Sequence, residues 1–128
     1  MTLDYLNSLF LYTSENRDRW SILKLDRGMY RGDCEDYSLT VLYYLVCNES
    51  LLKFWTHLIT GKAKMHYVVT RDGGGHAVLQ VGDKYIDNWS MEWGDKDSMH
   101  DLGHRFVKVY WLYQIAVKML YGKLRGLL

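Results

Sequence analysis

Two turn signals inside one β-rich stretch constrain this chain more than any other feature: Arg71-Asp72-Gly73-Gly74-Gly75, and Gly82-Asp83 shortly after it. Met65 to Thr70 precede the first turn, His76 to Val81 lie between the two, and Lys84 to Trp89 follow the second. All three runs are rich in strand formers bounded by breakers, and Gly82-Asp83 is a two-residue linker suited to a tight hairpin. Residues 65–89 are therefore predicted to form a three-stranded antiparallel meander. Arg105 to Trp111 alternates Phe106, Lys108 and Tyr110 against Val107, Val109 and Trp111, which adds a fourth strand. Leu112 to Leu124 fits either strand or helix.

The first half of the chain has helical spacing. Residues 3 to 12 place Leu3, Leu6, Leu9 and Phe10 on one face of a short packing helix. A polar break at Thr13 to Arg19, the segment Trp20 to Leu25 and an irregular stretch through Gly28 and Gly32 follow. A second helix is predicted from Cys34 to about Cys47, with Asp33 as N-cap and Asp36 completing a capping box three residues on. Leu51 to Ile59 reads as a further helical segment closed by Gly61. With 128 residues the chain suits one domain, residues 1–128, around one core. The expected class is α+β, with the Cys34 helix packed on an antiparallel sheet of about four strands.

Composition excludes several classes. Sixteen Lys plus Arg stand against fifteen Asp plus Glu, a formal net charge of +1, so overall charge points to neither nucleic acid nor an anionic membrane. The longest apolar runs, such as Leu39 to Cys47, fall short of the roughly 20 residues of a membrane-spanning helix. No basic segment precedes a hydrophobic run at the N-terminus, so no secretory signal is read, and the expected location is the cytoplasm or the inside of a phage particle. Cys34 and Cys47 are the two cysteines. On one helix they stand roughly 20 Å apart, beyond the ~7 Å that a disulfide can bridge.

The chemistry centres on Cys34. A thiol attacks a carbonyl as thiolate, and the first turn of a helix favours an anion through its unpaired N–H groups and its dipole. The same N–H groups can hold the oxyanion of a tetrahedral intermediate. Such a thiol needs a general base, and the base needs an orienting acceptor. Hairpin geometry selects among the five histidines. If Val81 pairs with Lys84, Val78 lies opposite Asp87 and His76 opposite Trp89, so His76 and Asp87 share a sheet face as diagonal neighbours. A one-residue bulge would reverse the parity and present Asn88 to the histidine.

These residues resemble the bacterial transglutaminase-like cysteine proteinases of the papain-like and transglutaminase-like superfamily. The likeness rests on Trp20, on Gly32-Asp33-Cys34-Glu35-Asp36-Tyr37 opening a helix, on His76-Ala77-Val78-Leu79 opening a strand, and on Tyr85-Ile86-Asp87-Asn88 on the next. It covers roughly residues 20 to 90. The resemblance implies Cys34 as nucleophile, His76 as base, Asp87 as orienter, peptide or isopeptide amides as substrates, and calcium ligands at Asp33 and Glu35. Hydrolysis, amine transfer by a transglutaminase, cleavage of peptidoglycan cross-links by a phage or bacterial enzyme, and a non-catalytic virion module that keeps the triad all remain open at this point. Neither His100-x-x-x-His104, which lacks the following glutamate, nor the two cysteines, which lack a C-x-x-C partner, makes a zinc motif. The triple glycine lacks the Lys-Ser or Lys-Thr of a phosphate loop. The tail from Arg105 to Leu128 carries five basic residues interleaved with aromatics, suited to a closing element with a solvated basic face or to contact with nucleic acid, a membrane surface or another subunit; an oligomer or assembly contact is the partner expected of it, and no nucleic acid partner is expected.

Overall fold

A computed structural model describes residues 1–13 and 20–127, with side chains as far as Tyr121. The elements are α1 (Leu3–Leu9), β1 (Phe10–Tyr12), β2 (Leu25–Asp26), β3 (Met29–Gly32), α2 (Cys34–Thr40), α3 (Leu51–Thr60), β4 (Ala63–Val69), β5 (Gly75–Val81), β6 (Lys84–Ile86), α4 (Lys96–Asp101), β7 (Arg105–Val109) and α5 (Leu112–Leu127). A four-stranded antiparallel sheet runs β6-β5-β4-β7, and a smaller sheet runs β1-β3-β2. The α+β class and the four antiparallel strands agree with the sequence reading.

The β5–β6 hairpin pairs Val81 with Lys84, Gln80 with Tyr85 and Leu79 with Ile86, the expected register. A register shift does occur in the sheet, but between β4 and β7 at Tyr67/Val68, away from the hairpin. Ala63, Met65, Ala77 and Leu79 are buried in the main core with Trp20, Tyr37, Leu39 and Leu42. On the other face Val68, Val78 and Tyr85 form a second cluster with Met99 of α4. Burial on both faces explains why β5 reads as an almost continuous apolar run.

Two expectations are corrected. The helix read over residues 3 to 12 stops at Leu9, and Phe10–Tyr12 becomes a strand parallel to β3, Phe10 opposite Tyr30. The "irregular" stretch through Gly28 holds the β2–β3 hairpin, which turns on Arg27 and Gly28, both at positive φ. In each case long-range pairing overrides local spacing. The break expected at Thr13 to Arg19 lies, beyond Thr13, outside the described residues. α4 was not anticipated, and the segment left open after Leu112 is helical.

α2 starts as its capping residues dictate. Asp36 N–H donates to the Asp33 carboxylate at 3.2 Å and Asp33 N–H donates to Asp36 at 3.3 Å, a reciprocal capping box. Asp36 also accepts from Ser21 N–H at 2.8 Å. Gly32 is required just before this box, because a Cβ there would lie 2.8 Å from that of Asp36. Beyond Thr40 the helix continues in π geometry over Val41–Val46, with Cys47 as its C-cap. Both cysteines are free and buried.

Candidate active site

Each residue of the expected triad lies where an element ends. Cys34 is the first residue of α2, His76 the second of β5, and Asp87 the residue after β6. A cleft of about 410 Å³ is lined by Cys34, His76, Asn88, Trp89, Thr70 and Tyr12, among others. Alternation on β5 turns His76 toward the α4 side while Ala77 packs against the α2 side, so Cys34 and His76 reach the cleft from opposite faces at the end of one strand. The Cys34 sulfur meets the backbone N–H of Ala77, His76's neighbour.

The His-Asp half of the site is fully formed. His76 Nε2 lies 2.7 Å from Asp87 Oδ2, both side chains buried, and Ser90 N–H donates to Asp87 Oδ1 at 2.8 Å. Burial raises the Asp87 pKa, but hydrogen bonds from His104, His76 and the Ser90 N–H outweigh it and hold the carboxyl below the ordinary range. An ionised Asp87 can only accept, so His76 carries its proton on Nε2 and, when neutral, keeps a lone pair on Nδ1. Asp87, not Asn88, is therefore the group that meets His76. Asn88 lines the cleft, and its Oδ1 is buried without a hydrogen-bond partner among the described residues.

His104 is the residue that sequence reasoning missed. Its Nε2 lies 2.6 Å from the same Asp87 oxygen, with both side chains fully buried. Gly103 at φ +90° ends the turn after α4 and sets His104 at the mouth of β7. A Cβ on Gly103 would lie 2.7 Å from that of Arg71, so glycine is needed there for space as well as conformation. The spacing from His100 suggested only a helical pair, and nothing local places His104 against Asp87. The indole of Trp89 lies against both imidazoles, with centroids at 5.4 and 5.1 Å.

His76, Asp87 and His104 are also a ligand set by composition, their donor atoms lying within 4.8 Å of one another. Donors about 2.0–2.1 Å from a tetrahedral zinc stand roughly 3.3 Å apart. The observed 2.6 and 2.7 Å are hydrogen-bond separations. His104 Nδ1 is moreover buried without the outer partner that metal-bound imidazoles ordinarily have. As it stands the cluster is a hydrogen-bonded His-Asp-His group.

The Cys34 half is held differently. Its thiol donates to Glu35 Oε2 at 3.1 Å, not to His76. Burial pushes the thiol pKa up, the Glu35 carboxylate adds to it by charge and hydrogen bond, and the Ala77 N–H only partly offsets them. Burial and the acids flanking Cys34 thus outweigh the helix-terminus effect. Asp33 and Asp36, buried together, are likewise raised by desolvation, to about 7 and about 8. As for calcium, the ion takes about six to eight oxygens. Asp33 commits one oxygen to the helix cap and Glu35 one to the thiol. Among the described residues Asp33 and Glu35 belong to no cluster of three or more acid, histidine or cysteine donors close enough to share an ion. Trp20 is buried with its ring 4.8 Å from that of Tyr110, a core role outside the cleft.

Removing the Glu35 carboxylate should therefore activate the thiol. Glu35→Ala is expected to raise the alkylation rate of Cys34 by iodoacetamide at neutral pH about tenfold or more, since each unit of thiol pKa is a factor of ten in thiolate. An unchanged or slower rate would show that Glu35 does not hold the proton.

No family model matches this chain, and no curated protein matches it in sequence.

Proposed function

We propose that this protein is a thiol amidase of papain-like or transglutaminase-like architecture that cleaves peptide or isopeptide bonds. The observation that carries the reading is the buried His76–Asp87 pair at 2.7 Å opening onto the cleft that Cys34 lines. Substrate entering the cleft displaces the Glu35 contact. Cys34 Sγ then attacks the carbonyl carbon as its proton passes to His76 Nδ1, and Asp87 stabilises the imidazolium through Nε2. Backbone N–H groups at the start of α2 hold the oxyanion. Collapse breaks the C–N bond, His76 returns its proton to the leaving amine, and a thioester remains on Cys34. Water, activated by the same imidazole, releases the acid and restores the thiol. An amine in place of water would give transfer, and the same triad would serve a peptidoglycan cross-link; pocket shape chooses among these acceptors and donors.

His104 acts through Asp87 as a positioning residue. A second Nε2–H donor on Oδ2 keeps the carboxylate ionised and fixes the oxygen that orients His76.

A peptide vinyl sulfone, which acylation-competent thiols attack, tests the assignment. Cys34 should be modified and Cys47 spared, by peptide mapping, and His76→Ala should slow labelling about 10²–10⁴-fold. Equal labelling in His76→Ala, or none in the native protein, would refute a triad and favour a non-catalytic module.

A further inference from the structure

We propose that the cleft beside Cys34 takes a peptide bearing a free ammonium group, lysine or another diamino residue, next to the amide presented to the thiol. This deepens the amidase reading and rests on it, since the occupant is the substrate of that site.

The walls of the cleft carry polar groups that the fold leaves unused. Thr70 is 8% exposed and lines the cleft, yet its hydroxyl makes no hydrogen bond among the described residues. Asn88 Oδ1 is buried beside the same cleft, likewise without a partner among them. Asp72 lines it as well, an exposed carboxylate with no ion pair or hydrogen bond among the described residues. Buried polar groups are ordinarily paired, so a buried hydroxyl and amide oxygen on one cleft leave hydrogen bonds for its occupant to complete.

Gly74 points to the same occupant. Its φ lies outside the left-handed region, and a Cβ there would meet nothing nearer than Thr70 Oγ1 at 3.8 Å, an ordinary contact. Neither conformation nor packing asks for glycine, in contrast to Gly73 at φ +84° in the same turn and Gly75, whose Cβ would lie 2.9 Å from the Tyr67 hydroxyl oxygen. The missing side chain keeps the wall open where Thr70 and Asp72 line it, as glycine does where a ligand comes close to the backbone.

Charge selects the class. Among the described residues that line the cleft Asp72 is the one carboxylate, and none is lysine or arginine. The cations beside this turn stand outside the lining: Arg71 lays its stem over Gly103, and Arg105 lies on β7 across from Val69. Glu35, bonded to the Cys34 thiol, adds a second acid next to the cleft. A substrate carboxylate would meet like charge, and an apolar side chain would leave the acceptors empty. An ammonium has three donors and no acceptor, which suits Asp72, Thr70 and Asn88, and Trp89, 38% exposed, offers it a ring surface.

Binding and chemistry can be read separately. The Cys34→Ala protein is titrated with acetyl-Ala-Lys-Ala-amide and with the matching norleucine and glutamate peptides, following the Trp89 indole N–H resonance by NMR. The lysine peptide should bind about fivefold tighter than the norleucine peptide, and the glutamate peptide more weakly than either. Asp72→Asn should bring lysine and norleucine to equal affinity, and Asp72→Lys should reverse the order of lysine and glutamate. The Asp72 side chain is exposed, and equal melting temperatures check that both variants fold. Equal binding of all the peptides, a lysine preference that survives Asp72→Asn, or a Trp89 resonance that none of them moves would overturn the proposal. Vinyl sulfone labelling of the native protein decides the amidase reading by itself. Labelling without a charge preference in binding would remove this inference and keep that reading, whereas a lysine preference without labelling would keep the binding site and remove the reaction.

Discussion

Cys34→Ala should reduce amide cleavage about 10⁴-fold or more while the protein stays folded. In enzymes of this design the nucleophile, base and orienter act as a unit, so removing the nucleophile leaves only the residual contribution of binding and oxyanion donors. The fold should survive because α2 is held by the Asp33–Asp36 capping box, the Ser21 contact and the burial of Tyr37 and Leu39, none of which uses the sulfur. The substitution also separates the two cysteines, since Cys47, buried at the far end of the helix, should contribute nothing to turnover. The check is amine release from a peptide-amide library beside a thermal melt of the same sample. Full activity in the alanine variant would end the nucleophile assignment; loss of folding would mean that the sulfur has a packing role unaccounted for above.

Asp87→Ala should be the most damaging substitution for stability and activity together. It strands two buried imidazoles, His76 and His104, that both donate to one carboxylate oxygen. Breaking such a buried network by deleting one partner costs about 3–5 kcal/mol. Asn88→Ala, which removes no hydrogen bond that Asn88 Oδ1 makes, should cost far less in turnover and melting temperature. The network also has a pH signature. Because the folded-state pKa of Asp87 lies below its unfolded value near 3.8, its contribution is complete above that value and is lost as pH falls through the lower, folded one. Asp87→Asn should remove this share of the acid sensitivity. An Asn88→Ala variant more impaired than Asp87→Ala would mean that the hairpin parity is reversed in solution.

The strength of the His76–Asp87 pair contrasts with the state of the thiol. Cys34 is protonated and turned to Glu35, so the free site is not a thiolate–imidazolium pair. Activation on substrate entry would protect a thiol flanked by Asp33, Glu35 and Asp36 from untimely oxidation, because oxidation follows thiolate character.

What the sequence determined by itself was everything set over short range. Asp33 and Asp36 specify the helix start, and Gly82-Asp83 specifies a hairpin whose register brings His76 to Asp87 without reference to the rest of the chain. Gly61 closes α3 in the left-handed conformation for the same local reason. The tertiary structure decided whatever depends on distant segments meeting. Phe10–Tyr12 became a strand because β3 offered a free edge, against helical spacing. His104 reached Asp87 because β7 pairs with β4, and its neighbour His100 had pointed only to a helical pair. Glu35 came to accept from the Cys34 thiol because the burial of the sulfur leaves that carboxylate as its acceptor. Periodicity and capping act within a few residues, whereas strand partners, buried networks and surface fields are properties of contacts that a linear reading does not contain.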